Sequence, residues 1–258
     1  MSKGVHRFAL LVAGATFFLI IAGANVTSHD AGLATSDWPL SNGQFFPKMV
    51  GNLFWEHGHR LVATTVGILT IVLAVYLQVR ERRAWVKRLG WIALAGVVAQ
   101  GLLGGLTVKL NLPLAVSAAH ATLAQLFFLT TVSLAVFTAR GWVEPPVEVR
   151  EEGRGVSLRT LCVVALVAIL AQLVLGATLR HSATWDQPLP AGLLLSHVAG
   201  AIVVTLVLGA NVVTVLTRYR AESYLKRPAL IAAGLLFGQL VLGVTAYLVR
   251  AASPNDPQ

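Results

Sequence analysis

A cluster of ionisable side chains stands at the beginning of a long apolar run, in residues 55–60, which read Trp-Glu-His-Gly-His-Arg. The cluster is unusual because only 12% of the residues in the chain are charged. Glu56 and His59 are three residues apart, so on a helix they would share one face. A carboxylate and an imidazole at a bilayer edge are costly unless they pair, bind a ligand or line a polar cavity. The cluster therefore indicates a functional site, and the alternative is interfacial snorkelling of His59 and Arg60.

Two more histidines stand near the outer ends of later apolar runs, His120 in the fourth and His197 in the sixth. Imidazole suits iron, and helical bundles build cofactor sites from side chains on facing helices. The arrangement predicts that His59 and His120 bracket one heme and that His197 holds a second. A single buried histidine is more often a hydrogen-bonded structural residue, so the prediction depends on all three lying in register. His29 and His57, in or beside the first long loop, are expected to be surface residues.

The odd-numbered apolar runs share a motif in which a glutamine precedes a glycine by four residues. The motif occurs as Gln100 with Gly104, Gln172 with Gly176, and Gln239 with Gly243. The first run has a weaker version, with Leu19 in place of the glutamine. Such self-similarity indicates one helical unit used repeatedly, although glycine and glutamine in membrane helices also serve for packing alone.

The distance between this motif and the next histidine leads to a further expectation. A histidine follows the motif glutamine by 20 residues in the first half of the chain and by 25 residues in the second. The same intervals counted from Gln239 reach beyond Gln258. The pattern therefore predicts a fourth histidine on an eighth helix that these 258 residues do not contain.

Seven apolar runs must position these residues. Their approximate ranges are 8–26, 61–79, 89–108, 115–138, 158–179, 191–216 and 229–249. Each is close to the ~20 residues that a membrane-spanning helix needs. With 56% hydrophobic residues and a mean hydropathy of +0.73, the chain is too apolar for a soluble domain, for which about 45 to 50% is typical. The predicted fold class is an all-α polytopic membrane protein with seven transmembrane helices and an eighth expected.

The basic residues sort to one side of the predicted membrane. Fifteen of the 20 Lys and Arg residues fall at the N-terminus and in the loops of the same side, and five fall on the other side. By the positive-inside rule the richer side is cytoplasmic, so the N-terminus is expected inside. The net charge of +9 then follows from topology, and the expected partner is the lipid bilayer rather than nucleic acid.

Two polar segments organise the predicted bundle. Residues 141–157 are rich in charge and include two prolines, which indicates a cytoplasmic linker between an N-terminal half, 1–140, and a C-terminal half, 158–258. On the other side of the membrane, a polar loop of about thirty residues runs from Thr27 to His57. Loops of that length in compact proteins are usually functional or disordered, and this one carries aromatic and turn residues. It predicts a structured cap on the outer face.

The combined motifs resemble those of the heme A synthases of bacterial and mitochondrial respiratory assembly. The resemblance rests on Glu56-x-x-His59-Arg60, on the loop 32–40 with the sequence Gly-Leu-Ala-Thr-Ser-Asp-Trp-Pro-Leu, on the Gln-x-x-x-Gly units and on the histidines of the even helices. It covers essentially the whole chain. It implies eight helices in two similar four-helix halves and oxidation of the C8 methyl group of heme O to a formyl group by successive hydroxylations.

The resemblance also implies roles for individual residues. His59 and His120 would hold the iron of the substrate heme O, and His197 would hold the iron of a heme b cofactor. We expect Glu56, one turn from His59, to be catalytic, because its carboxylate could move protons or stabilise positive charge as the methyl group is oxidised. Arg60 at the outer rim is expected to pair with heme propionates, with snorkelling as the alternative.

Two features depart from the resembled pattern. Some bacterial relatives carry a cysteine pair in the first outer loop, and the matching positions here are Thr35 and Ser41. The eighth helix, with the second ligand of the heme b, is not among these residues. A chain of this length would need a five-coordinate cofactor, another ligand or a partner helix.

Other functions stay open from the sequence alone. A di-heme b-type membrane electron carrier would need the histidines but no carboxylate at the heme edge, and a repeat-based transporter could use the histidines as a proton relay. For the enzyme, the expected location is the bacterial inner membrane. Heme O synthase and cytochrome oxidase are candidate protein partners, while the electron donor and self-association are left open.

Overall fold

The computed structural model describes residues 3–143, 155–182, 189–220 and 222–252. Within these ranges the chain forms seven long helices and one short one, and no β-strand. The helices are α1 Lys3–Ser28, α2 Asn52–Arg80, α3 Ala84–Lys109, α4 Leu114–Phe137, α5 Arg140–Val143, α6 Leu158–Ser182, α7 Ala191–Arg218 and α8 Ser223–Ala252. The seven long ones are long and apolar enough to cross a membrane, which confirms the prediction of an all-α protein with seven spans.

The chain divides by its internal contacts into two compact units, 1–146 and 147–258. Most of the linker expected at 141–157, namely residues 144–154, lies outside the described residues. In the N-terminal unit, α1 packs against α2 and α4, and α3 packs against the same two helices. Among the described residues, neither α1 with α3 nor α2 with α4 is in contact. The four helices therefore form a closed ring in which α2 and α4 face each other diagonally.

The apolar core of this ring is concentrated toward one end of it. The fully buried large side chains include Val5, Val12, Leu73, Leu77 and Leu134, all at the end where α1 begins. Burial of such side chains and their close contacts hold the helices together at this end. The other end, where α2 and α4 begin, carries glycines and histidines instead. The ring is thus packed tightly at one end and lined by small and polar residues at the other.

The tightly packed end is closed by the turn between α2 and α3. Glu81 accepts hydrogen bonds from the backbone N–H groups of Arg82 and Arg83, at 2.8 and 3.0 Å, and from the Arg83 guanidinium. Arg83 also donates to the carbonyl of Phe137, the last residue of α4, at 2.8 Å. The Arg83 hydrogen bond is the main reason why the pKa of Glu81 falls to about 2. The ion pair thus holds Arg83 in the α2–α3 turn, and the hydrogen bond from Arg83 to Phe137 links this turn to α4.

The C-terminal unit is a row of helices. In its described part α6 packs against α7, and α7 packs against α8. Asn211 of α7 is buried, donates to the carbonyl of Leu161 at 3.1 Å and accepts from the thiol of Cys162 at 3.4 Å, which fixes α7 against α6. None of the described residues of α8 is buried.

Candidate functional site

Residues 29–51, which we call the cap, connect α1 and α2 across the open end of the N-terminal ring. The helix α2 begins at Asn52, so the segment 55–60 belongs to its first turns. Trp38 of the cap rests on Gly105 of α3, where an added Cβ would lie 2.6 Å from the indole ring. Lys109 also donates to the carbonyl of Ser36 at 3.1 Å. The cap is therefore seated on the ring by an aromatic side chain that only a glycine admits.

A buried ion pair on α2 holds the cap from below. Arg60 binds Glu56 one turn earlier on the helix, and Glu56 is 4% exposed. The same guanidinium donates to the carbonyls of Asp37 and Leu40, at 2.8 and 2.7 Å. Glu56 in turn accepts the backbone N–H of Thr35 at 3.1 Å. Because a buried carboxylate needs a partner, the pair both balances its own charge and ties the cap to the helix.

Two hydroxyl groups, those of Thr35 and Ser41, hold the cap. The Thr35 hydroxyl accepts the backbone N–H groups of Asp37 and Asn42, both at 3.3 Å. The Ser41 hydroxyl is 0% exposed, accepts from Arg60 at 3.2 Å and shares a hydrogen bond of 2.8 Å with Nδ1 of His57. A hydrogen-bond network thus organises the segment between residues 35 and 41.

The burial of His57 differs from the expectation based on the sequence. It was expected at the surface, but it is 4% exposed beneath the cap. Its Nε2 atom is buried without a hydrogen-bond partner among the described residues. The expectation is wrong because the cap folds back over the first turns of α2. His29, by contrast, is exposed and stacks on Trp55 with ring centroids 4.0 Å apart.

His59 lies against the neighbouring helix α1. A Cβ added to Gly23 of α1 would lie 3.0 Å from Cε1 of His59, so the imidazole occupies the space that glycine leaves. The Nδ1 atom of His59 is buried and has no hydrogen-bond partner among the described residues. His59 is therefore a ring in a fixed slot with an unused nitrogen.

His120 and His197 have the same kind of slot. A Cβ on Gly104 of α3 would lie 3.1 Å from Cε1 of His120, and a Cβ on Gly176 of α6 would lie 3.0 Å from Cε1 of His197. In both cases the motif glutamine, one turn earlier on the same helix, donates to the backbone carbonyl of the histidine. The motif that the sequence presented as a repeat is thus a seat for the histidine of the following helix. The sequence indicated this arrangement only through its spacing, because each of these two Gln-x-x-x-Gly units is followed by one histidine on the next long helix.

The N-terminal unit brings two of the three predicted ligands together. His59 and His120 sit on the diagonal helices α2 and α4, in the first turns of both helices, at the open end of the ring. Two imidazoles approaching from opposite sides can serve a flat cofactor that needs only axial ligands. Among the described residues, no group of three or more His, Cys, Asp or Glu side chains could hold a metal ion. A metal held by the protein alone is therefore a poorer fit to the described residues than a heme.

The remaining predicted site residues are Glu56 and Arg60 in the N-terminal unit and His197 in the C-terminal unit. Glu56 and Arg60 are beside His59 on α2, but their hydrogen bonds run to each other and to the cap. In this structure the guanidinium of Arg60 donates to cap carbonyls and to Glu56. Binding of heme propionates by Arg60 stays a prediction. His197 belongs to the C-terminal unit, which presents one predicted ligand in its described residues.

Residues 49–185, more than half of the chain, match a protein family described as cytochrome oxidase assembly protein. Among curated proteins, a heme A synthase of Symbiobacterium thermophilum is 31% identical over 185 residues, which cover 69% of this chain and 60% of that protein. A heme A synthase of Caulobacter sp. strain K31 is 34% identical over 140 residues, or 50% of this chain and 41% of that protein. A heme A synthase of Shouchella clausii is 28% identical over 274 residues, covering 98% of this chain and 90% of that protein.

The extent of these matches differs between relatives. The chain spans 60% or less of the length of the Symbiobacterium and Caulobacter proteins, and nearly all of the Shouchella protein. No solved structure matches the chain.

Proposed function

The chain belongs to the cytochrome oxidase assembly protein family, and from this premise we propose that it is a heme A synthase. The reaction is oxidation of the C8 methyl group of heme O to a formyl group by successive hydroxylations. The observation that carries the proposal is the diagonal pair His59 and His120, set at the open end of a four-helix ring beneath a cap that Glu56 and Arg60 hold.

In this proposal the N-terminal unit is the substrate site. His59 and His120 hold the iron of heme O from opposite sides, which orients the macrocycle between α2 and α4. The end of the ring that carries these histidines is lined by small residues such as Gly23 and Gly104, and the cap lies over it. The substrate's iron fits His59 because the imidazole has a buried nitrogen without a partner among the described residues.

The C-terminal unit is proposed to bind a heme b cofactor through His197. When bound, such a heme supplies one-electron transfer. His197 is suited to hold it because the ring is fixed between Gly176 and Gln172 rather than turning freely.

Glu56 is proposed as the catalytic carboxylate. It stands one turn from His59 and is shielded from water, with Arg60 and the Thr35 N–H as its partners. A carboxylate in that position can accept or return a proton at the edge of the substrate. Arg60 has the complementary task of holding the cap over the site, and we propose that it also approaches the heme propionates.

The proposed topology follows from the charge distribution. The N-terminus is cytoplasmic and the cap lies on the outer face of a bacterial inner membrane, because most Lys and Arg residues belong to the opposite side. Heme O synthase, as the source of substrate, and cytochrome oxidase, as the recipient of product, are the proposed protein partners.

Glu56→Gln tests the proposal, because it keeps a side chain that can accept the Thr35 N–H but removes the charge and the proton-transfer group. We expect heme O to remain bound while heme A formation falls by about 100-fold or more, as for loss of a general acid or base. Pigments extracted from the purified protein, separated and weighed by mass spectrometry, provide the measurement. Asp30→Asn is the matched control, since Asp30 is exposed in the cap and asparagine tolerates its φ of 49°.

Two results would count against the proposal. If Glu56→Gln made heme A at the normal rate, the catalytic role of Glu56 would be lost. If the unaltered chain bound heme but converted no heme O when supplied with a reductant and oxygen, the alternative of a di-heme b-type electron carrier would be favoured.

A further inference from the structure

Two glutamines make the same contact with two proposed heme ligands, in separate units of the molecule. We propose that Gln100 and Gln172 are positioning residues, which fix the ring orientation of His120 and His197 for axial ligation. The inference rests on the proposed function, because it assumes that these histidines bind iron. It goes beyond that function by assigning a task to the glutamine of the repeated motif.

The N-terminal copy joins α3 to α4. The amide Nε2 of Gln100 donates to the backbone carbonyl of His120 at 3.0 Å, and lies 3.4 Å from Nε2 of the imidazole. Gly104, one turn further along α3, faces the adjacent ring atom Cε1, since an added Cβ there would lie 3.1 Å from it. The amide and the bare helix backbone thus contact neighbouring atoms of the same imidazole.

The C-terminal copy joins α6 to α7 with closely similar distances. The amide Nε2 of Gln172 donates to the backbone carbonyl of His197 at 2.9 Å, and lies 3.1 Å from Nδ1 of the imidazole. Gly176 receives the ring, and Gly200 leaves room for the amide, since an added Cβ there would lie 2.1 Å from Oε1 of Gln172. Two pairs of helices distant in sequence therefore share the bond from the glutamine amide to the histidine carbonyl, while the ring nitrogen nearest the amide is Nε2 in His120 and Nδ1 in His197.

The polar atoms of these glutamines indicate a purpose beyond packing. The Oε1 atoms of Gln100 and Gln172 are buried and have no hydrogen-bond partner among the described residues. A buried amide oxygen without a partner is costly, so a purely structural role would favour an apolar side chain. A histidine that binds iron through one nitrogen carries a proton on the other, and an adjacent amide oxygen can accept it. In the structure the amide nitrogen both donates to the backbone carbonyl and is the amide atom next to the ring, so exchange of the two amide atoms would bring the oxygen to that place as an acceptor.

His59 provides an internal contrast. It has the glycine slot at Gly23, but Leu19 stands where the glutamine would be. In the proposed substrate site, one histidine therefore contacts a motif glutamine, and the other lies beside a leucine at the same motif position. A site that must release its product benefits from one ligand that is held less firmly.

Gln100→Met and Gln172→Met test the inference in the full chain, because methionine keeps the length of the side chain and removes its hydrogen bonds. The first measurement needs no heme. In protein labelled with [15N]histidine, Gln172→Met should shift the ring resonances of His197 and leave those of His120 unchanged, and Gln100→Met should do the reverse. Removal of each histidine in turn assigns the resonances.

The second measurement is a titration with iron protoporphyrin IX. Each methionine variant should lose about 10- to 100-fold in affinity at its own site, the range typical for groups that orient a metal-ligating histidine. The electron paramagnetic resonance spectrum of the ferric heme should broaden as the ring orientation becomes less defined. Gln239→Met is the matched control and should change neither measurement, because Gln239 has the same motif but is exposed.

Unchanged ring resonances together with heme affinities within twofold of the original would overturn the inference. If the unaltered chain binds no heme, the proposed function fails, while the resonances still decide whether the glutamines position the rings. Where a methionine variant yields little folded protein, Gln100→Asn and Gln172→Asn replace it, since they keep an amide that is too short to reach. Normal resonances in those folded variants would equally contradict the inference.

Discussion

The two units seat their histidines alike but surround them differently. The pair α3 with α4 and the pair α6 with α7 each hold a histidine between a glutamine and a glycine. In the N-terminal unit that pair is part of a closed ring of four helices under a cap. In the described part of the C-terminal unit it is part of a row of three helices.

The comparison distinguishes the contacts that hold one histidine from the arrangement of helices that forms a whole binding site. The seat of a single histidine needs two neighbouring helices, so the motif can be repeated wherever such a pair occurs. A site that clasps a ligand from both sides needs diagonal helices held apart, and a cap that closes over them. The carboxylate Glu56 and its partner Arg60 belong to this arrangement of the whole site, since their hydrogen bonds reach the cap.

The largest effect is expected from removing the histidines themselves, which tests whether the two units bind heme independently. His120→Ala should abolish axial ligation by α4 in the N-terminal unit and leave the heme at His197 intact, and His197→Ala should do the opposite. Each loss reflects a missing iron ligand rather than a change in folding. Heme content per chain, with the optical spectrum of the heme that remains, is the measurement. Loss of both hemes in either variant would show that the two seats are not independent.

A smaller effect, confined to the N-terminal unit, is expected from Gly105→Ala. The new Cβ would lie 2.6 Å from the Trp38 ring, so the cap must move or the helix must shift, at a cost of about 1 to 3 kcal/mol. Hydrogen exchange of the cap amides should speed up. Gly101→Ala on the same helix is the control, because nothing lies within 4 Å of its added Cβ. Equal exchange rates in the two variants would mean that Trp38 does not seat the cap.

An effect of similar size, which also depends on pH, concerns the packed end of the ring. The pKa of Glu81 is lowered to about 2, so its ion pair stabilises the folded state above the ordinary carboxyl pKa of 4.5 and loses this contribution as the pH falls toward 2. Glu81→Gln should therefore lower the free energy of unfolding by about 1 to 3 kcal/mol at neutral pH. The difference between the two proteins should shrink between pH 4.5 and 2.

Thermal unfolding in detergent across that pH range would measure the difference. Glu222→Gln, a carboxylate change in the other unit, is the control and should alter stability by less than about 0.5 kcal/mol. A gap between Glu81→Gln and the original protein that stayed constant down to pH 2 would exclude the ion pair as its cause.

Several properties could be predicted from the sequence alone, because they depend on residues that are close together in the chain. Hydrophobic runs of about 20 residues predicted the seven spans, and the family resemblance rested on motifs that are continuous in the chain. The equivalence of His120 and His197 was visible in their spacing from the motif glutamines. Their proposed roles as ligands stay predictions until heme binding is measured.

Other properties depended on contacts between distant segments. The burial of His57 was missed because it results from a cap that folds back onto α2, and nothing in the residues beside His57 indicates that. Arg60 was expected at heme propionates, but the sequence could not show which carbonyl groups of the cap would lie within its reach. The repeated glutamine could have been a packing residue, since its partner is 20 or 25 residues away on another helix.

The sequence by itself determined the number of spans and the repeated motif. Helix formation in a membrane depends on the apolar character of consecutive residues, which must satisfy their backbone hydrogen bonds within the helix. The tertiary structure decided which histidine each glycine receives, that α2 and α4 stand apart, and that Glu56 and Arg60 face the cap. Those outcomes depend on which helices pack side by side, and close packing is decided by the shapes of surfaces that meet only after the chain has folded.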